Sequence, residues 1–435
     1  MLFTWLFAAA VPATLAAQQS GLPITLESAL ARGQEHSLRV VELQARVDAA
    51  AALESGRRAA DRPIVAALGG YTRTNHVDEF VIADPGRVAR TLYPDVPDNY
   101  RARLDLQWPI YSGGRADALV RAARAERGAA GADLLAARAD LRLEITRAFW
   151  ALVTAREAEQ VLERSVENLE AHVRDMRARL DQGFVPPNEV LSAEAQRSRQ
   201  RVLALEAGNA RASIEAELRR LIGEEGSAPL LPQASLTEAV IVPAEPAALI
   251  EEARRLRPER RAFQERTAAS RAREDAAAAG ARPQLGVAGG YDYARPNPRI
   301  FPRADTWDDS WDISVNVSWS LWDGGRRRAE QAEAAAGTRA VEARAGEFDR
   351  VLALEIRQRW LDLDSSRAAI DAAADGVRAA VEARRVLRER FAAGVATSTE
   401  VLDAETAVLQ AELDRTRATS SARLARARLD RAVRR

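Results

Sequence analysis

Between Trp311 and Leu321 apolar and polar residues alternate without a break. Trp311, Ile313, Val315, Val317, Trp319 and Leu321 fall on one face of an extended chain, and Asp312, Ser314, Asn316, Ser318 and Ser320 on the other. This period of two predicts a β-strand over 309–321. A membrane-crossing strand needs about 9–11 residues and often carries aromatic residues at its ends, and this stretch has both properties. The alternation returns at 100–110, where Leu104, Leu106 and Trp108 oppose Arg103, Asp105 and Gln107. Two further strands are expected at 63–73 and 283–293, each with a Gly-Gly-Tyr triplet. A soluble β-sandwich strand alternates in the same way, so the pattern alone leaves lipid contact open.

The strands lie between long helices. From Arg115 to about Leu180 there is no Pro, which at 1.5 Å per residue predicts a helix of about 100 Å. Its second half repeats apolar residues at steps of three and four, through Leu141, Ile145, Leu152, Leu162, Leu169, Val173, Met176 and Leu180, with Glu159 as a polar intruder. Gly183 to Pro187 turns the chain, and Asn188 is expected to cap a return helix ending near Ile222. A second long helix, Arg326 to Phe391, carries the same seam at Leu363, Ile370 and Val377, with Arg384 as its exception.

The second half of the chain repeats the first. Gly69-Gly70-Tyr71 returns as Gly289-Gly290-Tyr291, Trp108 with Gly113-Gly114 as Trp319 with Gly324-Gly325, and Gly183 with Glu189 as Gly394 with Glu400, at offsets of 211 to 220 residues. Each half (18–222 and 248–435) is therefore read as a helix, two strands and a long helical hairpin, the hairpins being 115–222 and 326–433. Residues 223–247 form a Pro-rich connector. Mainly α with transmembrane β is the expected fold class.

Composition narrows the chemistry. The 435 residues hold no Cys and balance 63 basic against 63 acidic side chains, which removes thiol chemistry and any bulk attraction to nucleic acid. Residues 1–17 are apolar, end in small residues and are read as an export signal. His36, His76 and His172 lie in different elements and are expected at the surface, with no shared metal site. The Gly-Gly-Arg turns lack the Lys-Ser/Thr of a phosphate loop, and no constellation suggests an enzyme or a cofactor.

Four strands cannot close a barrel, because the smallest transmembrane barrels need about eight. In lipid, each unpaired backbone group at a sheet edge costs several kcal/mol, so several copies of the chain must share one barrel. Two, three or four copies would all satisfy this condition.

The tandem halves, the W-x-x-x-x-G-G-R strand ends at Trp108 and Trp319, and the two R-x-x-x-G-x-x-x-x-x-E-V-L-x-A-E turns resemble the TolC-like outer-membrane efflux protein family. The resemblance implies a homotrimer in the outer membrane of a Gram-negative bacterium. Its shared twelve-stranded barrel would continue into a helical tunnel crossing the periplasm. It further implies a passive exit duct of a tripartite efflux or type I secretion system, served by a periplasmic adaptor (membrane fusion) protein and an inner-membrane transporter. Gly183, Phe184, Val185, Gly394, Val395 and Ala396 would then be the adaptor-contacting tips, and Glu400, Asp403 and Glu189 an acidic ring at the periplasmic aperture. Trp311, Ile313, Val315, Val317, Trp319, Leu104, Leu106 and Trp108 would face outer-membrane lipid. A soluble periplasmic coiled-coil adaptor or scaffold with a small β-domain is the alternative.

Overall fold

A computed structural model describes residues 21–83, 85–86, 88–236, 241–243 and 245–433. The expected export signal at 1–17 lies outside them. The elements run β1 (Leu22–Ile24), α1 (Leu26–His36), α2 (Leu38–Ala59), β2 (Ile64–Arg73), β3 (Phe80–Ile82), β4 (Arg90–Tyr93), β5 (Asp98–Tyr111), α3 (Arg115–Asp181) and α4 (Pro187–Ile222). They continue with β6 (Leu230–Pro232), α5 (Pro246–Leu256), α6 (Pro258–Ala279), β7 (Gln284–Arg295), β8 (Asp308–Ser318), α7 (Arg326–Ala392) and α8 (Ser398–Val433). The chain divides into two compact units. One holds Glu42–Leu134 and Pro258–Asp349; the other holds the described residues through Val41, Leu135–Arg257 and those from Arg350 on.

In the unit that carries the strands, β2, β5, β7 and β8 form one antiparallel sheet in the order β2-β5-β7-β8. Gly113 and Gly114 (φ 70° and 87°) and Gly324 and Gly325 (φ 69° and 92°) take left-handed conformations where strand passes to helix, which is why each turn needs its Gly pair. Just before each turn a Trp is tied back to the chain entering the sheet. The indole N–H of Trp108 donates to the Asp61 carbonyl at 3.1 Å and that of Trp319 to the Ala281 carbonyl at 3.0 Å, both acceptors standing immediately before an Arg-Pro pair. The strand expected over 309–321 ends at Ser318, so Trp319 and Leu321 stand beyond it.

Small side chains let the helices of this unit approach closely. Ala118, Ala122, Ala125, Ala129 and Ala132 are buried along α3 at steps of three and four, as are Ala269, Ala272, Ala276 and Ala279 along α6, with Ala262 one heptad before them. This alanine seam extends the heptad pattern into the first half of α3. On α2, the Glu54 side chain is almost fully buried and faces Arg58, Arg124 (3.3 Å) and Arg127 (3.3 Å). Burial pushes its carboxyl up, but the three guanidiniums outweigh that and hold it below its ordinary value.

The other unit is a helical bundle. Its fully buried side chains include Ile145, Phe149 and Leu152 of α3, Leu218 and Ile222 of α4, Leu352, Ile356 and Leu363 of α7, and Leu429 of α8, while Leu169, Val173 and Met176 of α3 belong to a cluster with Val190, Phe391 and Val401. The two polar intruders of the seams are ion-paired across their own hairpins. Glu159 meets Arg211 of α4 at 2.7 Å, and Arg384 meets Glu405 of α8 at 3.3 Å. The α7 seam is shallower: Ile370 and Val377 are half-buried, while Val351, Leu354 and Leu361 are exposed.

Several elements differ from the sequence expectation. The connector contains β6, which pairs in parallel with β1, and the long loop after β2 contains the β3–β4 hairpin. Asn188 does not cap α4: Pro187 occupies the first helical position, and Pro186 before it makes no side-chain cap.

Replacing Glu54 with Gln is expected to lower the heat-denaturation midpoint at neutral pH. A carboxylate depressed in the folded state contributes stability at neutral pH, and that contribution is lost as pH falls through its folded pKa, which lies below the ordinary glutamate value. The gap between variant and wild type should therefore close in acid, as followed by melting curves across pH. Equal midpoints at neutral pH would contradict this role for Glu54.

Candidate functional site

The strand registers set two faces of the sheet, which are chemically opposite on β5 and β8, while on β2 the exposed Ile64 and Leu68 share the face of Gln107 and Arg103. Val317 pairs with Leu285, Val315 with Val287, and Trp311 with Tyr291, which pairs in turn with Leu104; Leu104 pairs with Ala67 and Leu106 with Val65. Directly paired residues in an antiparallel sheet point to the same side, so all of these share one face. Trp311, Ile313, Val315, Val317, Leu104 and Trp108 are exposed there, and Leu106 is half-buried. Val315 and Val317 are 67% and 70% exposed, values that a soluble sheet does not show for a whole row of large apolar side chains. Trp319 is also exposed, just past the strand.

The opposite face carries Arg101, Arg103, Asp105 and Gln107 of β5, Asp292 of β7, and Asp312, Ser314, Asn316 and Ser318 of β8. At the end of the sheet where β2 and β7 finish and β5 begins, Tyr71, Tyr100, Tyr293 and Trp307 cluster with ring centroids 5.0 to 5.9 Å apart. Trp108 and Trp319 mark the other end. Aromatic residues at both ends of an apolar band are the pattern of strands that cross a bilayer.

The two hairpin tips are built alike. Gly183 (φ 74°) and Gly394 (φ 75°) end their helices in left-handed conformations. The Phe184 N–H donates to the Arg179 carbonyl and the Val395 N–H to the Arg390 carbonyl, each at 2.9 Å. Phe184 and Val395 project outward at 74% and 64% exposure. Val185 and Ala396 instead pack on one shared core, formed by Leu169, Val173, Met176, Val190, Phe391 and Val401 among others. The six expected tip residues thus divide into two outward side chains, two inward ones and the turning glycines.

The acidic candidates also divide. The Glu400 carboxylate accepts from the Thr397 backbone N–H at 2.7 Å and from its hydroxyl at 3.0 Å, closing a capping box. These bonds hold the Glu400 carboxyl below its ordinary value. Asp403, one turn on, is exposed and has no hydrogen bond or ion pair among the described residues. Glu189 occupies the first turn of α4 and is half-buried.

His172, expected at the surface, is instead half-buried between the hairpins. Its ring nitrogen lies 3.0 Å from the Ser398 hydroxyl, and its ring centroid lies 5.9 Å from that of Phe391. Burial pushes its imidazole below the ordinary value, against the opposing pull of Asp175 and Glu405. The Arg179 guanidinium stands 4.6 Å over the Phe391 ring, a second contact between the hairpins. Sequence reasoning missed the clamps inside each hairpin: Arg177 pairs with Glu194, and Arg388 with Glu405. Both arginines stand two residues upstream of the Arg of the turn motif, so extending the repeat by two positions reveals them.

The sequence profile described as outer membrane efflux protein matches residues 29–224 and 249–433. The chain belongs to the outer membrane efflux protein family. Protein CyaE of Bordetella pertussis is 27% identical over 315 residues, covering 71% of this chain and 65% of CyaE, just under two thirds of that relative's length. Among solved structures, the outer-membrane channel OprN superposes with a TM-score of 0.78 at 21% identity, over 94% of this chain and 89% of OprN. VceC, the outer membrane protein of Vibrio cholerae, superposes with a TM-score of 0.76 at 19% identity, over 94% and 95%. These two likenesses show the fold: long helical hairpins with a minor share of β-strands, as this efflux protein has.

Arg388→Ala is expected to cost about 1.5–3 kcal/mol, because the Glu405 side chain is only 6% exposed and loses a charged partner. Arg177→Ala should cost less than about 1 kcal/mol, because Glu194 is 28% exposed. Urea unfolding of the two variants measures the difference, and equal costs would contradict the asymmetry.

Proposed function

We propose that three copies of this efflux protein pool their sheets into one barrel in the outer membrane of a Gram-negative bacterium, forming a passive exit duct. The observation that carries this reading is a four-stranded sheet with one apolar exposed face and open edges at β2 and β8. Closing those edges with other copies satisfies their backbone groups, and it turns the apolar face to lipid and the polar face to water. The exposed row Val351, Leu354 and Leu361 on α7 gives neighbouring copies an apolar surface to cover. A soluble adaptor, the alternative reading, has no use for the apolar sheet face.

In this reading the helical hairpins reach into the periplasm. Phe184 and Val395 are the tip side chains free to meet a periplasmic adaptor, and an inner-membrane transporter supplies the energy that the duct lacks. The duct would serve a tripartite efflux or type I secretion system. At the aperture Asp403 is the acidic residue that acts on passing ions, because its charge is uncommitted; Glu400 is held by its helix cap and Glu189 is secondary. Three copies of Asp403 near a narrow axis favour cations and repel one another.

Purified from outer membranes, the protein should run as a trimer that heating dissociates, and it should conduct in planar bilayers. Asp403→Ala should raise conductance and lower the cation-to-anion permeability ratio by about twofold or more. Recovery as a soluble monomer would overturn the duct, and an unchanged ratio would remove Asp403 from the aperture.

A further inference from the structure

The polar face of the sheet carries a cluster of charges that its neighbours do not require. Toward the helices the face is neutral: Gln107, Ser314, Asn316 and Ser318 provide polarity enough for a wetted surface. Three guanidiniums and three carboxylates meet further along. Arg101 Nε and Nη2 donate to the two oxygens of Asp292 at 2.5 and 3.0 Å, in the fork geometry that Arg makes with a carboxylate. Arg103 donates to Asp105 at 2.6 Å, to Asp312 at 3.2 Å and to Asp292. Arg299 reaches Asp312 at 3.0 Å. One side chain, Arg103, thus joins carboxylates on β5, β7 and β8.

The backbone is shaped to allow this. Gly290 stands between Asp105 and Asp312, which would otherwise face each other across β7. A Cβ at position 290 would collide with the Arg103 guanidinium, so the missing side chain lets that group lie over the strand. Gly70, the repeat partner of Gly290, has open space around it. The tandem repeat does not dictate the cluster either: Arg103 and Asp105 correspond to Ser314 and Asn316, and Asp292 to Thr72. The six charges of this cluster cancel. Asp292 is the centre of that balance, with a side chain 6% exposed and bonds to two arginines.

We propose that Asp292 is a specificity-determining residue that cancels a ring of fixed positive charge in the barrel bore. The sheet then passes anionic, cationic and zwitterionic cargo alike and leaves ion preference to the hairpin tips. The inference rests on the duct reading, in which the polar face lines the bore. Without Asp292 each chain contributes one uncompensated guanidinium charge, and in a trimer these charges form a ring that attracts anions.

Reversal potentials in a potassium chloride gradient across planar bilayers test it, in an Asp403→Ala background so that the tip carboxylates do not mask the sheet. Asp292→Asn should raise the chloride-to-potassium permeability ratio by about twofold or more, Arg101→Gln should lower it by a similar factor, and the double variant should return it to the background value. A purely structural cluster would lower the heat stability of the trimer without this opposite-signed pair of shifts. Arg101→Gln alone decides the matter if Asp292→Asn does not assemble. A conducting background protein whose ratio neither substitution moves overturns the inference and leaves the duct standing. Absence of conductance before either substitution overturns the duct reading, and this inference falls with it.

Discussion

The rest of the structure depends on the hydrogen-bonding needs of two strand edges. In the sheet β2-β5-β7-β8 the inner strands pair on both sides, while β2 and β8 pair on one. In water such edges are tolerable, but this sheet exposes Trp311, Ile313, Val315 and Val317 on one side and so is made for an apolar surrounding. There, open backbone groups cost several kcal/mol each, and the remedy available to a four-stranded sheet is more strands from more chains. The tandem repeat fits the same logic. Two copies of a strand–strand–hairpin unit supply an even number of antiparallel strands, with helices leaving from the same end of each pair.

The helical unit solves a different problem. A seam of small and medium side chains along helices of 67 residues must hold register over a great length, and apolar packing alone permits sliding. Charged pairs at defined positions fix it: Glu159 with Arg211, Arg384 and Arg388 with Glu405, and Arg177 with Glu194. Near the tips, His172 against Ser398 and Arg179 over Phe391 tie one hairpin to the other. The polar interruptions of the heptad pattern are therefore the places where register is specified.

Much of this was legible in the sequence for identifiable reasons. β5 and β8, with ten or more residues and one apolar face, show a period of two over enough positions to stand out, and helices of 67 residues show the heptad many times. The misses follow from the same logic. Strands β1, β3, β4 and β6 have three or four residues, too few for any period to register. The alternation runs past the end of β8 because Ser318 pairs with Gln284, the first residue of β7, and no partner strand remains for Trp319 and Leu321. Asn188 looked like a cap, but Pro187 is already shaped for the first helical position. At the tips the residue types were visible and their roles were not. Only the geometry separates Glu400, committed to Thr397, from Asp403, whose side chain has no partner among the described residues, and only the register reveals that Arg103, Asp292 and Gly290 form one unit.

The most direct test of the account is the surrounding of each side chain along β8. The natural chain has no Cys, so single cysteines from 311 to 318 carry an environment-sensitive fluorophore without interference. In reconstituted vesicles, labels at Ile313, Val315 and Val317 should be quenched by lipid-borne quenchers, and labels at Ser314, Asn316 and Ser318 by quenchers dissolved in water. A strand whose labels all respond to the aqueous quencher, or show no period of two, would contradict a sheet that divides lipid from a water-filled bore.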